Sequence, residues 1–341
     1  MRVVIVSPGY PAVSGGVTHH TARLVGHWRD AGHGVDVLGS CVEPPRQTAA
    51  RWRDDGIRAT LIQYVPFLYG RRGLSGFPQQ LAAAARAAGI RVGVFVHEPW
   101  VPPTRLPWLI LSPLQRRQLL KLLEVCDVAV TPVPAWQKLL GGKPHLVYVG
   151  STLGDPPVTA ALEPPLPAPV VFSPFASGLR WDWIVAAVRA IGAQPGLTVI
   201  GADWEAARRH PTVRRWADPT WDWRGRLDAP AVLNLLSRAP LVLAPFVDGL
   251  TGRRTSALAA ASVGARMVTS RGKLYDAMFN SSPFALASTR EEFCELASGL
   301  LCAPDAPSAR RDRLDWYHQR LATADLDHTA LELLLKGEAA Y

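Results

Sequence analysis

Asp248, Gly249, Leu250, Thr251, Gly252, Arg253, Arg254 and Ser256 bring one carboxylate, two glycines, two guanidinium groups and two hydroxyls into a short stretch of chain. An apolar run over residues 240–246 precedes them and a small-residue run over 257–263 follows, so the pattern reads strand, loop, helix. At such a junction unpaired backbone N–H groups and the positive end of the helix dipole attract an anion. Arg253 and Arg254, read as the first turn of the helix, add charge-assisted contacts. Successive helical residues face different directions, so one of the two is expected at the anion and the other elsewhere. Glycines at a strand's carboxyl end also admit a ligand close to the backbone. The chemistry implied is phosphate recognition, preferred over a plain strand–loop–helix with surface arginines.

Two further groups sit at strand ends. His97, followed by Glu98 and Pro99, ends the β-branched run 92–96, and ligands gather at the carboxyl ends of parallel strands. The competing reading is a histidine merely satisfied by hydrogen bonds beside a proline loop. Near the amino terminus, residues 2–7 form a short apolar strand, and Pro8, Gly9, Tyr10, Pro11, Ser14, Gly15 and Gly16 form a loop. A helical pattern over 17–31 follows, with Val17, Leu24, Val25 and Trp28 as its buried stripe and Gly32 at its end; a second strand covers 35–38. Gly9, Gly15 and Gly16 do not space as the dinucleotide fingerprint G-x-G-x-x-G.

The elements that must position these groups alternate β and α on both sides of a proline-rich break containing Pro156, Pro157, Pro164, Pro165, Pro167 and Pro169. Two three-layer α/β units joined by a hinge are expected, and 341 residues suffice for two cores. The second half reads as strand 170–172, helix 183–191, strand 197–200 and helix 230–237 before the phosphate loop. A helical tail from Asp312 carries Leu314, Trp316 and Tyr317.

These motifs resemble GT-B glycosyltransferases, in particular the retaining family 4-like branch (glycosyl transferases group 1). The resemblance implies an α/β chain of GT-B fold, with two Rossmann-like domains facing across a cleft: an acceptor-side domain over 1–160, a donor domain over 170–318, and a terminal helix within 319–341 returning to the first domain. It implies transfer of a sugar from a nucleotide-diphosphate sugar to an acceptor hydroxyl with retention of configuration. Asp248 falls on the family's first acid, which meets sugar hydroxyls, and Gly264 and Val268 fall on the turn and strand after the helix. Ser256 stands where a second acid usually holds the ribose. His97 matches the histidine that faces the transferred sugar, so His97 and Asp248 are the catalytic candidates. Gly15, Gly16, Gly249, Leu250, Thr251, Gly252, Arg253, Arg254 and Ser256 are the donor-binding candidates. Arg180 joins them as the match to the lysine of a basic pair whose arginine is absent here. The resemblance implies no metal and no cofactor beyond the donor substrate. Two other readings stay open: an inverting enzyme using His19 or His20 as general base, and a degenerate GT-B-like binding protein, prompted by Ser256 and the missing partner of Arg180.

The net charge of +9 favours anionic partners such as nucleotides and lipid phosphate. No reader motif organises the basic residues for nucleic acid, which is excluded as a partner. The expected acceptor is a sugar, a lipid-linked molecule or a small molecule. Residues 100–123 mix Trp108, Leu109, Ile110 and Leu111 with Arg105, Arg116, Arg117 and Lys121. This stretch fits either an anionic bilayer surface or a helix and loop packed on its own domain, the second being preferred. Cys41, Cys126, Cys294 and Cys302 are dispersed and read as reduced, buried residues. The first apolar run is too short for a signal peptide and no uncharged span reaches membrane length, so a cytoplasmic location is expected, with possible peripheral contact at the inner membrane face. Asp325 and Asp327 imitate a metal-binding D-x-D pair but lie in the tail, far from any strand end.

Overall fold

The computed structural model describes residues 1–13, 15–40, 42–104, 106–156, 163–173, 178–192 and 196–336. Ser14, Cys41, Arg105, residues 157–162 of the proline-rich break and the last five residues of the tail lie outside them. The chain divides into two compact units, Met1–Thr152 with Ala324–Tyr341, and Leu153–Thr323.

The first unit runs β1 (Arg2–Val6), α1 (Gly16–Asp30), β2 (Gly34–Leu38), α2 (Pro45–Asp54), β3 (Ile57–Tyr64), α3 (Phe77–Ala87), β4 (Arg91–Val96), α4 (Leu106–Val125), β5 (Val128–Thr131), α5 (Pro134–Leu139) and β6 (His145–Leu146). Its strands form one parallel sheet in the order β2-β1-β3-β4-β5-β6. Strands buried on both faces are runs of Val, Ile and Leu, as β1 (RVVIV) and β4 (RVGVFV) are. On one face Trp52, Leu81, Leu119 and Leu122 of α2, α3 and α4 cover the sheet. On the other, Leu24 and Trp28 of α1 pack beside Ala330, Leu331 and Leu334. The stripe of α1 differs from the expected one at its start, where His20 and Thr21 are buried and Val17 is only partly so.

The second unit contains β7 (Val170–Phe172), α6 (Trp181–Ile191), β8 (Thr198–Ile200), α7 (Trp204–Arg209), β9 (Asp222–Trp223), α8 (Ala229–Ser237), β10 (Val242–Ala244), α9 (Thr255–Ser262), β11 (Met267–Ser270), β12 (Ala285–Ala287), α10 (Arg290–Cys302) and α11 (Pro307–Leu321). Its parallel sheet has the order β12-β11-β10-β7-β8-β9. Counted within the unit this is 3-2-1-4-5-6, the Rossmann order, whose crevice opens at the carboxyl ends of the first and fourth strands, here β7 and β10. Ile184, Phe293 and Ala297 fill the core on one side. Gly264 ends the α9 region with φ +66, and a Cβ there would meet Leu314 Cγ of α11 at 2.8 Å, so glycine serves both turn and packing.

The last helix, α12 (Thr323–Lys336), packs in the first unit. Gly93 of β4 makes room for it, since a Cβ there would lie 2.7 Å from Leu334 Cδ1. Asp327 fixes its register: Arg23 Nε and Nη2 donate to the two Asp327 carboxylate oxygens at 2.8 and 2.7 Å, and His27 Nδ1 lies 2.8 Å from Oδ2. Trp28 Nε1 donates to the Asp327 carbonyl at 2.8 Å. The remaining nitrogen of Arg23 donates to the Ser151 carbonyl, and Nη2 also to that of Val149. Burial alone would push the Asp327 carboxyl up, but the hydrogen bonds and charge of Arg23, with His20 and His27, hold it well below the usual carboxylate range.

Candidate functional site

The phosphate loop leaves β10 at the topological switch of the second sheet. Its neighbour across the switch is the segment after β7: Val247 N–H donates to the Gly178 carbonyl at 2.7 Å, Arg180 N–H donates to the Pro245 carbonyl at 2.8 Å, and Leu179 bridges Phe246. Pairing of these two short segments places Arg180 beside the loop, where its guanidinium lies 4.7 Å from the Trp183 ring centre. A Cβ on Gly178 would fall 2.7 Å from Arg254 Nη1, so a glycine here lets that guanidinium lie flat against the segment.

Arg253 and Arg254 are not helical, because α9 begins at Thr255 with Arg254 as its N-cap. Freed from the helical 100° step, both reach one carboxylate: Arg253 Nη2 and Arg254 Nη2 donate to Asp248 Oδ2 at 3.2 and 3.3 Å. The expectation that the two residues are helical and point in different directions is therefore corrected. Arg254 also stacks over Phe246 at 4.7 Å. Two cations thus meet one carboxylate at a helix start that has no side-chain cap.

The loop's backbone is divided in use. Gly249 N–H donates to Phe246 and Leu250 N–H to Ser270, so these two amides serve the fold. Those of Thr251, Gly252 and Ser256 have no backbone partner among the described residues. Thr251 is fully buried, and its hydroxyl has no hydrogen-bond partner among the described residues. Gly249, at φ +88, is required by the protein itself: a Cβ there would sit 2.6 Å from Gly272 N. Gly249→Ala is accordingly expected to lower stability by about 1–3 kcal/mol in urea unfolding. An unchanged midpoint would mean that the loop can move off Gly272.

In the first unit the sheet's switch lies between β1 and β3, and the candidates gather there. Gly15 caps α1 without any side-chain cap, and a Cβ on Gly15 or Gly16 would meet nothing within 4 Å. The protein's own packing gives no reason for this glycine pair, which leaves an open, uncapped helix start. His97 follows β4, with its Nε2 2.5 Å from Gln63 Oε1 at the end of β3. Its ring stacks on Phe95 and meets His20 edge-on, with centroids 4.5 and 5.2 Å apart. Burial, and then His20 beside it, hold the His97 pKa well below its ordinary value, so the ring is neutral. With Gln63 accepting, Nε2 carries the proton and Nδ1 is the acceptor.

The structure separates the two histidines of α1. His19 is exposed, whereas His20 is buried. Burial, outweighing Asp327, lowers the His20 pKa; its Nε2 is 3.7 Å from Asp327 Oδ1, and Nδ1 has no partner among the described residues. Sequence reasoning missed Gln63, Arg23 and the role of Asp327. The last had a signal: Asp327, Ala330, Leu331 and Leu334 share the i, i+3, i+4, i+7 stripe of a buried helix face, and an acid on that face needs a cation. Among the described residues no three His, Cys, Asp or Glu side chains are arranged to hold a metal. Of the described cysteines, Cys126 and Cys294 are half-buried and Cys302 is exposed, which corrects the expectation that they are buried; desolvation still pushes the Cys126 thiol up to about 12.

No protein-family model and no curated protein matches the chain. Solved structures do match over nearly its whole length. AviGT4, a glycosyltransferase involved in avilamycin A biosynthesis, is 18% identical with a TM-score of 0.62, covering 99% of each chain. Anabaena HepE, solved in complex with UDP and glucose, is 12% identical with a TM-score of 0.67, over 98% of this chain and 99% of that one. The UDP-GlcNAc 2-epimerase of Neisseria meningitidis, bound to UDP-GlcNAc, is 12% identical with a TM-score of 0.57, over 98% and 100%. The chain is thus an α/β protein of two Rossmann-like domains. Its fold is GT-B.

Proposed function

We propose that the chain transfers a sugar from a nucleotide-diphosphate sugar to an acceptor hydroxyl, with retention of configuration and no cofactor beyond the donor. The observation that carries this reading is the convergence of Arg253, Arg254 and Asp248 at the switch of the second sheet, beside Arg180 and the uncapped start of α9. Breaking the bond between anomeric carbon and diphosphate places negative charge on the leaving oxygen, and fixed cations and N–H dipoles lower that barrier most. In this reading Arg253, Arg254, Thr251 and Gly252 hold the diphosphate, with Arg180 adding charge. Ser256 meets the ribose, and Asp248 accepts from sugar hydroxyls once phosphate has taken over its arginines. In the first unit, Gly15 and Gly16 leave the start of α1 open and uncapped. Neutral His97, held by Gln63, orients a sugar hydroxyl rather than carrying charge. An epimerase with the same fold makes the products decisive. Incubation with a panel of nucleotide sugars should release nucleoside diphosphate, slowly to water and faster with acceptor; recovery of an isomerised nucleotide sugar, or no turnover at all, would exclude transfer.

A second reading, an inverting reaction with His20 as general base, is favoured by its neutral ring and unpartnered Nδ1 and opposed by its burial. His97→Ala and His20→Ala separate the two. If His97 acts on the transferred sugar, its loss should lower kcat by at least about tenfold with little change in nucleotide affinity, the mark of a contact made chiefly in the transition state. A loss confined to His20→Ala would favour inversion.

A further inference from the structure

The outward face of α4 is built the wrong way round for a helix facing water. Ser112, Gln115, Leu119, Leu122 and Leu123 are its buried side. On the opposite side Leu106, Leu109, Ile110 and Leu114 are 81, 51, 68 and 45% exposed, a ridge at helical spacing along the amino-terminal half. In the carboxyl-terminal half the same side carries Arg116, Arg117 and Lys121, all exposed. The loop holding exposed Arg71 and Arg72 is strapped alongside: Gln115 Nε2 donates to the Arg72 carbonyl at 3.0 Å, and Ser75 N–H donates to Gln118 Oε1 at 2.7 Å. None of Arg71, Arg72, Arg116, Arg117 and Lys121 pairs with a carboxylate among the described residues. From Gly56 to Val125, the end of α4, the sequence holds nine Lys and Arg and two acids, Glu98 and the exposed Glu124.

We infer that this face of the first unit docks on an anionic lipid bilayer. An interfacial helix presents an apolar ridge to the acyl boundary and basic side chains to the headgroups, and unpaired lysines and arginines beside the surface add attraction that falls off within a Debye length. The excess of basic residues over the stretch outweighs the repulsion of its two acids, Glu98 and Glu124. A protein partner would have to be acidic and apolar in the same order along the helix; a bilayer supplies that order by itself. No helix among the described residues is long and apolar enough to cross a membrane, so the contact is peripheral. Of the two readings of residues 100–123, packing on the protein's own domain holds for one side of α4 and leaves the other side apolar and uncovered.

The test is sedimentation of the full chain with vesicles of phosphatidylcholine alone and of phosphatidylcholine mixed with phosphatidylglycerol, at low and raised salt. The protein should pellet with the mixed vesicles, less so in raised salt, and remain in solution with phosphatidylcholine alone. Leu109→Glu with Ile110→Glu should weaken pelleting by at least about tenfold, and Arg117→Glu with Lys121→Glu by a similar factor through charge reversal. All four side chains are exposed, so thermal unfolding should be unchanged; if the first variant fails to fold, the second decides. A chain that stays in solution with both vesicle types, or that pellets equally in all variants, would overturn the proposal. So would a dimer, seen without vesicles by sedimentation velocity, that Ile110→Glu splits.

Discussion

Asp327→Ala is expected to destabilise the protein by about 3–5 kcal/mol, because it removes one partner of a buried ion pair and strands Arg23 among carbonyl groups. Arg23 and Asp327 have side chains only 6 and 1% exposed, so water cannot replace the lost contact. The loss should appear in chemical unfolding and in detachment of α12, whose amides would exchange before those of β1. Asp327→Asn, which keeps a hydrogen-bond acceptor, should lose less. The pH dependence has a definite sign. A carboxyl whose folded pKa lies below its unfolded value contributes its full stability above the unfolded pKa of about 4 and loses it as pH falls towards the folded pKa. Wild-type stability should therefore decline on acidification below about pH 4, and the Asn variant should show a shallower decline. Equal slopes would remove Asp327 from the account of how the last helix is held.

Loss of both arginines, Arg253→Ala with Arg254→Ala, is expected to weaken nucleoside-diphosphate binding by about a hundredfold or more. Each charge-assisted contact to phosphate contributes about 1.5–3 kcal/mol, and Asp248, left unpaired beside the ligand, adds repulsion. Because both side chains reach Asp248 Oδ2, each single variant should be affected by about tenfold or more. Asp248→Ala should behave oppositely: removing the carboxylate beside the ligand leaves diphosphate binding at least as tight, while turnover falls. A double variant that binds as tightly as wild type would leave only backbone amides as the anion site.

Much of the candidate site was legible in the chain because strand-to-loop junctions announce themselves locally. The run ending at Ala244, the loop to Arg254 and the small residues of α9 are read from a few neighbours, as are Gly15, Gly16 and His97 at their strand ends. What escaped was set by distance or direction. Asp327 and Arg23 lie 304 residues apart, and no local pattern joins them. Arg253 and Arg254 were read as helical, and a start at Thr255 changes where both point. In α4 apolar residues occur on every side, so periodicity could not say which stripe meets the sheet; only tertiary packing chose Leu119 and Leu122 and left Leu109 and Ile110 outside. The strand order that brings β7 beside β10 is likewise a long-range fact.

The central claim is that the loop after β10 grips a diphosphate. Calorimetric titration of the wild-type protein with uridine, guanosine and adenosine diphosphates, each against its monophosphate, tests it most directly. One diphosphate should bind at least about tenfold tighter than its monophosphate, since the second phosphate meets Arg253, Arg254 and the start of α9. Equal affinity for mono- and diphosphate, or no binding of any of the six, would contradict it.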